Sequence, residues 1–389
     1  MKRICCLLAL LFCMLLIGSC ATRPVPAAEP LNAAPLPPEP TPEPTQEPAP
    51  VPEPEFDPAE RRLASMTTEE KVCQMLMLCS SDEDEVAYAA SHGVGGLCLY
   101  AASFDGRDRD EVLAMTTALQ ESSPLPLLLA VDEEGGTVCR VSSNPLLRAT
   151  PFDAPSDLFE KGGWELIESD TEEKAQLLLS LGLNVNLAPV ADVPLNRANY
   201  IYARSFGTDP AAAAEYVRRV VTVMKREGLG STLKHFPGYG GSADTHTGQA
   251  YDKRTLDAFT GGDFLPFIAG IEAGADAVLV SHNIVQCMDA DRPASLSPEV
   301  HRILREDLGF SGVVLCDDLS MGAIGQFPGG EDAAVAAALA GNDLLCCGDF
   351  EAAAQALLDA VEDGRLPEEQ LDASVLRILR WKQSLGLEI

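Results

Sequence analysis

The sequence predicts an α/β fold, a single (β/α)8 barrel of the TIM type, and two patterns indicate it. Short apolar runs recur along the chain, each bounded by glycine or polar residues, and amphipathic stretches such as residues 211–228 separate them. Strands that alternate with helices pair in parallel, and eight parallel strands fit a closed barrel. The runs are residues 74–79, 95–100, 126–132, 184–192, 231–236, 276–282, 312–318 and 343–349.

The segment that precedes the predicted barrel has the pattern of a bacterial export signal. A short cationic head leads into an apolar run, residues 4–17, that is too short to span a bilayer as a mature helix. The run ends in LIGSC at residues 16–20, which resembles a lipoprotein signal whose cysteine receives the lipid. We therefore expect a signal peptide at residues 1–20, lipidation of Cys20 and an extracytoplasmic, membrane-anchored protein. An ordinary secretory signal that contains a cysteine is the alternative.

Residues 21–57 repeat proline and glutamate and offer few apolar side chains to bury. Such a segment stays extended, near polyproline II, and does not build a core. We expect a disordered linker that holds the following domain away from the membrane. A ligand for a proline-binding module is the alternative.

Residues 58–389 have the composition of one globular domain, and their number suits a single barrel. The formal net charge of -31 argues against nucleic acid and against an anionic membrane surface as partners. We expect a monomer that contacts the membrane through its lipid anchor only.

The domain also contains cysteines without Cys-x-x-Cys spacing, so we expect buried thiols, no metal and no other cofactor. These cysteines are Cys73, Cys79, Cys98, Cys139, Cys287, Cys316, Cys346 and Cys347.

Polar side chains follow several of the predicted strands at their carboxyl ends. In a (β/α)8 barrel these ends form the mouth in which active sites are built. We therefore expect the side chains around one pocket, although loops that begin at strand ends are often polar anyway. The residues are Asp132, Lys234, His235, His282, Asp317 and Asp318.

Two stretches carry groups that suit glycosidic bond cleavage, which needs one group at the anomeric carbon and another that protonates the leaving oxygen. Asp317 ends a predicted strand. The glycine-rich stretch KHFPGYGGSADTHTG, residues 234–248, places Asp244 two residues before His246. An aspartate can fix the tautomer of a histidine, and a histidine exchanges protons near neutral pH.

Six segments, taken together and in this order, resemble glycoside hydrolase family 3 in its β-N-acetylhexosaminidase branch. The resemblance covers nearly the whole domain and implies a retaining exo-β-N-acetylglucosaminidase with a covalent glycosyl-aspartate intermediate. Its substrates would be carbohydrates with terminal β-linked N-acetylglucosamine, such as peptidoglycan fragments. The segments are MTTEEKVCQMLML (66–78), VDEEGG (131–136), LNVNLAPVADV (183–193), RSFGTDP (204–210), KHFPGYG (234–240) and PASLSPEVHRILREDLGFSGVVLCDDLSM (293–321).

The resemblance assigns roles residue by residue. Asp317 matches the nucleophile, with Asp318 beside it as the alternative. His246 matches the general acid/base and Asp244 the residue that orients it. The positions that match residues holding sugar hydroxyls are Asp132, Arg140, Arg204, Lys234 and His235.

The chain also departs from the family pattern. Cys316 stands where serine or threonine is usual, Tyr239 replaces a common histidine, and Thr137 stands where arginine often follows the two glycines. The loop from Tyr239 to Asp244 is one residue shorter than usual. These departures concern the second subsite and the leaving-group preference more than the class of reaction.

Other functions and roles stay open at this point. A β-glucosidase or β-xylosidase of the same family is one, an N-acetylglucosaminide phosphorylase a second, and a non-catalytic sugar-binding lipoprotein a third. The pairing of Asp244 with His246 argues against the first, and the presence of Asp317 argues against the last.

For other polar residues we expect His282 to line the pocket, and Glu133 and Glu134 to shape a turn. The alternative for Lys234 is an ordinary surface lysine. The alternative for His235 is a strand-end histidine whose hydrogen bonds are satisfied within the protein.

Overall fold

The computed structural model describes residues 57–246, 248–325 and 332–389. The predicted signal peptide and all but the last residue of the predicted linker lie outside the described residues. That last residue, Asp57, belongs to the folded domain, because its side chain accepts a hydrogen bond of 3.0 Å from the backbone amide of Ala59 and caps the first helix. No helix within the described residues is long and apolar enough to cross a membrane.

Eight parallel strands form a closed barrel, which confirms the predicted fold. Neighbouring strands follow the order of the chain, and the first pairs with the last through the register Leu76–Leu345. Most strands are shorter than the predicted runs, because the polar residues at the run ends leave the sheet as loops. The strands are β1 (Leu76–Ser80), β2 (Gly96–Leu99), β3 (Leu128–Val131), β4 (Val185–Asn186), β5 (Gly230–Phe236), β6 (Ala277–Val280), β7 (Val313–Cys316) and β8 (Leu344–Cys347).

Helices surround the barrel and bury their apolar faces against it. Short 3₁₀ segments lie at Ala101–Ser103, Tyr200–Ala203 and Ala294–Leu296, and π-helical turns lie at Phe259–Asp263 and Ile303–Asp307. The α-helices are α1 (Pro58–Ser65), α2 (Thr68–Gln74), α3 (Glu83–Ser91), α4 (Arg109–Ser122), α5 (Pro155–Ser180), α6 (Pro210–Glu227), α7 (Leu256–Ala258), α8 (Phe264–Ala273), α9 (Pro298–Arg302), α10 (Gly322–Gly325), α11 (Ala333–Ala340), α12 (Phe350–Glu362) and α13 (Glu368–Ser384).

Side chains alternate between two apolar layers along each strand, as the pleat requires. Met77 packs inside the barrel, whereas Leu76 and Leu78 pack outward against the helices. Ile378 and Trp381 of α13 join the inner layer. Because Trp381 contacts the start of β5, α13 covers the amino-terminal end of the barrel. The carboxyl end is left for the site.

Helix ends carry the caps that the sequence indicates. Thr67 and Glu70 form a capping box, with Thr67 Oγ1 accepting from the Glu70 amide at 3.2 Å and Glu70 Oε2 accepting from the Thr67 amide at 2.7 Å. The side chain of Asp209 caps α6, and Gly228 ends that helix with a φ of 81°. Each such side-chain cap contributes about 1 kcal/mol to helix stability.

Two short sheets lie beyond the carboxyl ends of the barrel strands. Glu133–Gly135 pairs antiparallel with Val138–Cys139 directly after β3. Tyr251–Asp252, after β5, pairs in parallel with Ile284–Val285, after β6. Both sheets fix loops that carry polar residues towards the barrel mouth.

Candidate active site

A cavity of about 320 Å³ opens at the carboxyl ends of the barrel strands. Seven of the eight predicted catalytic and sugar-binding residues line it, and Asp244 lies behind one of them, His246. The structure thus brings together residues that are as far apart in sequence as 132 and 317. The seven lining residues are Asp132, Arg140, Arg204, Lys234, His235, His246 and Asp317.

Lys234 lies near the end of β5 and is only 2% exposed, so it is not a surface lysine. Its Nζ atom lies 2.5 Å from Asp132 Oδ1 and 2.6 Å from Glu134 Oε1. Burial alone would lower the pKa of Lys234, but the two carboxylates outweigh burial and raise it. Lys234 therefore stays charged and orients Asp132 at the cavity wall.

Glu134 is the shared counter-ion of Lys234 and Arg204. The guanidinium of Arg204 donates to both carboxylate oxygens of Glu134, from Nε at 2.9 Å and from Nη2 at 2.7 Å. Burial would raise the pKa of Glu134, but the charges of Lys234 and Arg204 lower it to about 2. The prediction that Glu134 merely shapes a turn is wrong, because this carboxylate neutralises two predicted sugar-binding residues.

His235 has protein partners at both ring nitrogens. Nδ1 lies 2.6 Å from Asp192 Oδ2, so we assign the ring hydrogen to Nδ1. Nε2 then accepts from Arg204 Nη2 at 3.2 Å. The structure therefore shows His235 positioning Arg204, whereas a direct hydrogen bond from His235 to a sugar stays a prediction.

Asp192 connects the network of Lys234, Arg204 and His235 to the loop that follows β5. It is 1% exposed and lies in the segment after β4. Its Oδ2 also accepts from the His235 amide at 3.2 Å, and its Oδ1 accepts from the Tyr239 amide at 2.7 Å. One carboxylate thus fixes both ends of the turn from His235 to Tyr239.

Asp317 and Asp318 follow β7, and both line the cavity. The Asp317 amide donates to the Val280 carbonyl at 2.9 Å, which extends the pairing of β7 with β6. Asp317 Oδ1 accepts from the Asp318 amide at 3.0 Å, and Asp318 Oδ1 accepts from the Ser320 amide at 2.9 Å. The sheet therefore holds Asp317 at the mouth, while the Asp318 carboxylate stabilises the next turn.

The loop after β5 brings Asp244 and His246 together. His246 Nδ1 lies 2.6 Å from Asp244 Oδ1, and the His246 amide donates to the same oxygen at 3.0 Å. Burial would raise the pKa of Asp244, but the hydrogen bonds from His246 outweigh burial and lower it. The imidazole is 64% exposed at the rim of the cavity. Because Asp244 holds Nδ1, Nε2 is the ring nitrogen that is available for proton exchange.

Thr245 anchors the loop between these two residues. It is completely buried, and its carbonyl accepts from the Ala323 amide at 3.3 Å. Its hydroxyl lies 2.6 Å from that of Tyr239. Asp244 and His246 therefore project from a residue that is fixed on two sides.

The glycines of the loop allow it to lie directly on a buried ionic cluster. Gly240 has a φ of +52°, and a Cβ atom there would come within 2.4 Å of the Arg254 guanidinium. Gly238 has a φ of +119°, and its Cβ would lie 2.4 Å from Asp263 Oδ1. Arg254 itself pairs with Asp263 at 2.6 Å. Close approach and positive φ both require glycine at these two positions.

The hairpin after β3 carries Arg140 to the cavity. The Glu133 carboxylate accepts from the Val141 amide at 2.7 Å and from the Ser142 hydroxyl, which confirms the turn-shaping role predicted for Glu133. The Nε atom of Arg140 is buried and has no hydrogen-bond partner among the described residues. A buried guanidinium donor without a partner favours an oxygen-rich ligand.

Residues 67–381 match the family model described as the glycosyl hydrolase family 3 N terminal domain. The chain belongs to glycosyl hydrolase family 3. Membership of family 3 confirms the resemblance seen in the sequence and makes the protein a glycoside hydrolase.

Curated relatives in family 3 have the name beta-hexosaminidase. The relative from Xanthomonas campestris pv. campestris (strain B100) is 37% identical over 235 residues, which are 59% of this chain and 70% of that protein. The relative from Xylella fastidiosa (strain M23) is 37% identical over 246 residues, which are 62% of this chain and 72% of that protein.

Solved structures of family 3 members have the same fold. The β-N-acetylglucosaminidase from Paenibacillus sp. str. FPU-7 superposes with a TM-score of 0.77 at 32% identity. The superposition covers 83% of this chain and 63% of the Paenibacillus protein, so this chain spans less than two thirds of that enzyme. A member from Mycobacterium smegmatis str. MC2 155 gives a TM-score of 0.75 at 31% identity, covering 82% and 98% of the two chains.

His282 does not line the family 3 site, contrary to the prediction. It is completely buried, with Nδ1 2.7 Å from Ser295 Oγ and Nε2 2.9 Å from the Asp318 carbonyl. Burial lowers the pKa of His282. A neutral ring at this place supports the backbone that follows Asp317.

The departures from the family 3 pattern differ in how close they lie to the site. Cys316 is buried at the end of β7, directly before Asp317, and Tyr239 is buried under the Asp244 loop. Thr137 is exposed at the tip of the hairpin after β3.

Among the described residues, no group of three or more histidine, cysteine, aspartate or glutamate side chains is arranged to hold a metal ion.

Sequence reasoning missed Asp192 and the ionic role of Glu134. Asp192 ends the apolar run 184–192, so it showed the same strand-end signal as Asp132 and Asp317. Glu134 gave a weaker signal, because two consecutive glutamates before two glycines are also typical of a turn.

Proposed function

We propose that the chain is a retaining exo-β-N-acetylglucosaminidase. The observation that supports it is the position of Asp317 and His246 on one cavity, beside the network that buried Lys234 forms with Asp132, Glu134 and Arg204. The names of the curated relatives support the acetamido sugar as the substrate class.

In the first step, a carboxylate oxygen of Asp317 attacks the anomeric carbon as the bond to the leaving oxygen breaks. Protonated His246 gives its Nε2 proton to that oxygen, and Asp244 holds the ring through Nδ1. The product is a glycosyl ester on Asp317 with inverted configuration. Each of Asp317 and Asp318 accepts one backbone amide, so we assign the attack to Asp317 because it is the one that matches the family nucleophile.

In the second step, neutral His246 takes a proton from water, and the hydroxide attacks the anomeric carbon. The ester bond to Asp317 breaks, and the second inversion gives overall retention. Histidine suits both steps, because an imidazole can donate a proton and then accept one. It also adds no third carboxylate beside Asp317.

The remaining cavity residues hold the sugar. Asp132 accepts from sugar hydroxyls, oriented by Lys234. Arg140 donates from the hairpin side, and Arg204 is held in place by Glu134 and His235. Peptidoglycan fragments are the natural substrate that we propose, because they carry β-linked N-acetylglucosamine and an anionic part that a cationic Arg140 attracts.

We further propose that the mature protein is an exported lipoprotein attached through Cys20. The signal-like residues 1–20 and the proline-rich residues 21–57 support this proposal. Cys20→Ala should release the protein from the cell membrane without a change in kinetics. A variant that still sediments with membranes after a salt wash would contradict a single lipid anchor.

Hydrolysis of chromogenic β-N-acetylglucosaminide and β-glucoside tests the proposed activity. We expect the acetamido substrate to be preferred, and added inorganic phosphate to leave the rate and the product unchanged. Asp317→Asn should lower turnover by several orders of magnitude while binding is kept. A 2-fluoro sugar should label the peptide at Asp317, and a label at Asp318 would reverse the assignment.

A further inference from the structure

Three thiols meet on the floor of the cavity, and the mechanism above uses none of them. Cys79, Cys98 and Cys346 all line the cavity, and they come from the adjacent strands β1, β2 and β8. Cys98 and Cys346 belong to the inner layer of the barrel, and Cys79 packs against that layer. No disulfide joins any of them.

Cys79 and Cys98 are direct neighbours across the sheet. They are register partners in the pairing of β1 with β2. Adjacent strands lie about 4.7–4.9 Å apart, and disulfides join Cα atoms that are about 4.4–6.8 Å apart. Cys346, in contrast, is the register partner of Met77, two residues before Cys79. The spacing therefore favours Cys98 over Cys346 as the partner of Cys79.

Cys79 is also the thiol most open to the cavity. It is half-buried, whereas Cys98 and Cys346 are each 3% exposed. The contact with Cys346, together with burial, raises the pKa of Cys79 well above the ordinary thiol value. The thiolate of Cys79 is therefore scarce at neutral pH, and its reactions accelerate as the pH rises.

We propose that Cys79 and Cys98 form a modification site on the cavity floor, which small organic disulfides oxidise to a protein disulfide that inactivates the enzyme. The Cys79 thiolate attacks one sulfur of the small disulfide, whose S–S bond breaks and releases one small thiol. The Cys98 thiolate then attacks the Cys79 sulfur and releases the second small thiol. The small disulfide gains the two protons and two electrons that the protein thiols lose.

Formation of this bond alters the cavity where the sugar sits. The two sulfur atoms must close to about 2.05 Å, far inside their non-bonded contact. Cys79 adjoins Cys346 and lies within electrostatic range of Asp318, next to Asp317. A displacement of about 1 Å in an active site can cost about 100-fold in rate. We therefore expect kcat/KM to fall by roughly 10- to 100-fold.

The test uses the full chain and 2-hydroxyethyl disulfide. Glycoside hydrolysis and peptide mass mapping are followed together, and the activity readout rests on the proposed function. We expect activity to fall in step with a Cys79–Cys98 disulfide, faster at alkaline than at neutral pH, and to return with dithiothreitol. Excess N-acetylglucosamine should slow both changes because it covers the floor.

Variants separate this site from other thiols. The Cys79→Ser variant, or Cys79→Ala if the serine variant does not fold, should not lose activity during the treatment. The comparison is with an untreated sample of the same variant. Cys287→Ser is the matched control, because Cys287 is exposed and does not line the cavity. This variant should lose activity at the same rate as the parent.

Three results would overturn the proposal. They are loss of activity without the Cys79–Cys98 disulfide, full activity with it, and a Cys79–Cys346 link in its place. If the untreated chain hydrolyses no glycoside, the proposed function fails by itself. Mass mapping with and without N-acetylglucosamine then still decides whether the thiol pair forms.

Discussion

The hydroxyl oxygens of Tyr239 and Thr245 lie 2.6 Å apart, with the two residues 1% and 0% exposed. A buried hydrogen bond of this kind contributes about 1 kcal/mol net, and more is lost when one partner stays buried alone. Since Thr245 lies between Asp244 and His246, the bond fixes His246, the proposed acid/base residue, from inside the protein. A tyrosine at position 239 thus has a role in this chain that its sequence position alone did not reveal.

Tyr239→Phe should weaken proton transfer by His246 without removing it. We expect kcat/KM to fall roughly 5- to 30-fold for a substrate with a sugar leaving group, as a loss of about 1–2 kcal/mol implies. A phenol leaving group should show a smaller loss. Tyr88→Phe is the matched control, because Tyr88 is exposed on α3 and contacts Glu351. Equal losses on both substrates would mean that Tyr239 only stabilises the fold.

Replacement of His246 by glycine should separate the two steps of the reaction. A good phenol departs without a proton, so glycosylation should change little with it. A sugar leaving group needs the proton, so its kcat/KM should fall by about 10²–10⁴. Added azide should restore turnover of the phenol substrate, because azide attacks the intermediate without a base. Asp244→Ala should show a milder form of this pattern.

Equal losses with both leaving groups and no rescue by azide would remove His246 from the mechanism. The comparison is sharp because a structural histidine has no reason to distinguish leaving groups. Burst kinetics with the phenol substrate would show which step has become limiting.

Gly240→Ala should damage the loop through a direct clash. The new Cβ would approach the Arg254 guanidinium to 2.4 Å at a φ of +52°. We expect a loss of about 1–3 kcal/mol in the free energy of unfolding, measured in urea, and a lower kcat. Gly261→Ala is the control, because a Cβ there has no neighbour within 4 Å and φ is not positive. An unchanged Gly240→Ala enzyme would show that the loop does not depend on this contact.

Lys382→Met should stabilise the domain, most strongly at acidic and neutral pH. Lys382 on α13 is completely buried, its Nζ donates to Gln74 Oε1 at 2.7 Å, and burial lowers its pKa to about 7. Below pH 7 the folded protein must bury the protonated Lys382 side chain, which costs on the order of a few kcal/mol. Methionine removes this cost. Thermal unfolding at several pH values measures the difference between variant and parent.

The sign of the pH dependence is specific. Between about pH 7 and the ordinary lysine pKa near 10.4, the folded parent has released the Lys382 proton and the unfolded chain still binds it. Stability rises with pH where the unfolded state binds more protons than the folded state. The free energy of unfolding of the parent therefore approaches that of the variant. The advantage of Lys382→Met should therefore shrink as the pH rises from 7. An advantage that is constant with pH would mean that the pKa of Lys382 is the same in the folded and the unfolded state.

The barrel and most of the cavity could be predicted from the sequence because both leave local signals. Apolar runs repeated eight times give the strands, and polar residues such as Asp132, Lys234 and Asp317 stand where those runs end. The strand predicted at residues 184–192 was too long, since only Val185–Asn186 forms a strand. The segment contains Pro189, which has no backbone N–H to donate to a neighbouring strand.

Partners across the barrel could not be predicted in the same way. The pairing of Glu134 with Lys234 and Arg204 joins residues 100 and 70 positions apart, and no periodicity reports such a contact. His282 shows the opposite failure, since its strand-end position resembles that of Lys234 although its ring points into the protein. Which strand-end side chains face the mouth depends on the loops packed above them.

Asp192 supports the loop from outside, since it belongs to the segment after β4 and accepts the Tyr239 amide at the base of the loop. If the segment beyond that contact, up to the short strand at Tyr251, is exchanged as a module, we expect the contacts of His235 with Asp192 and Arg204 to stay in place. Transplanting this module between members of the family is therefore a route to new leaving-group preferences on an unaltered sugar pocket.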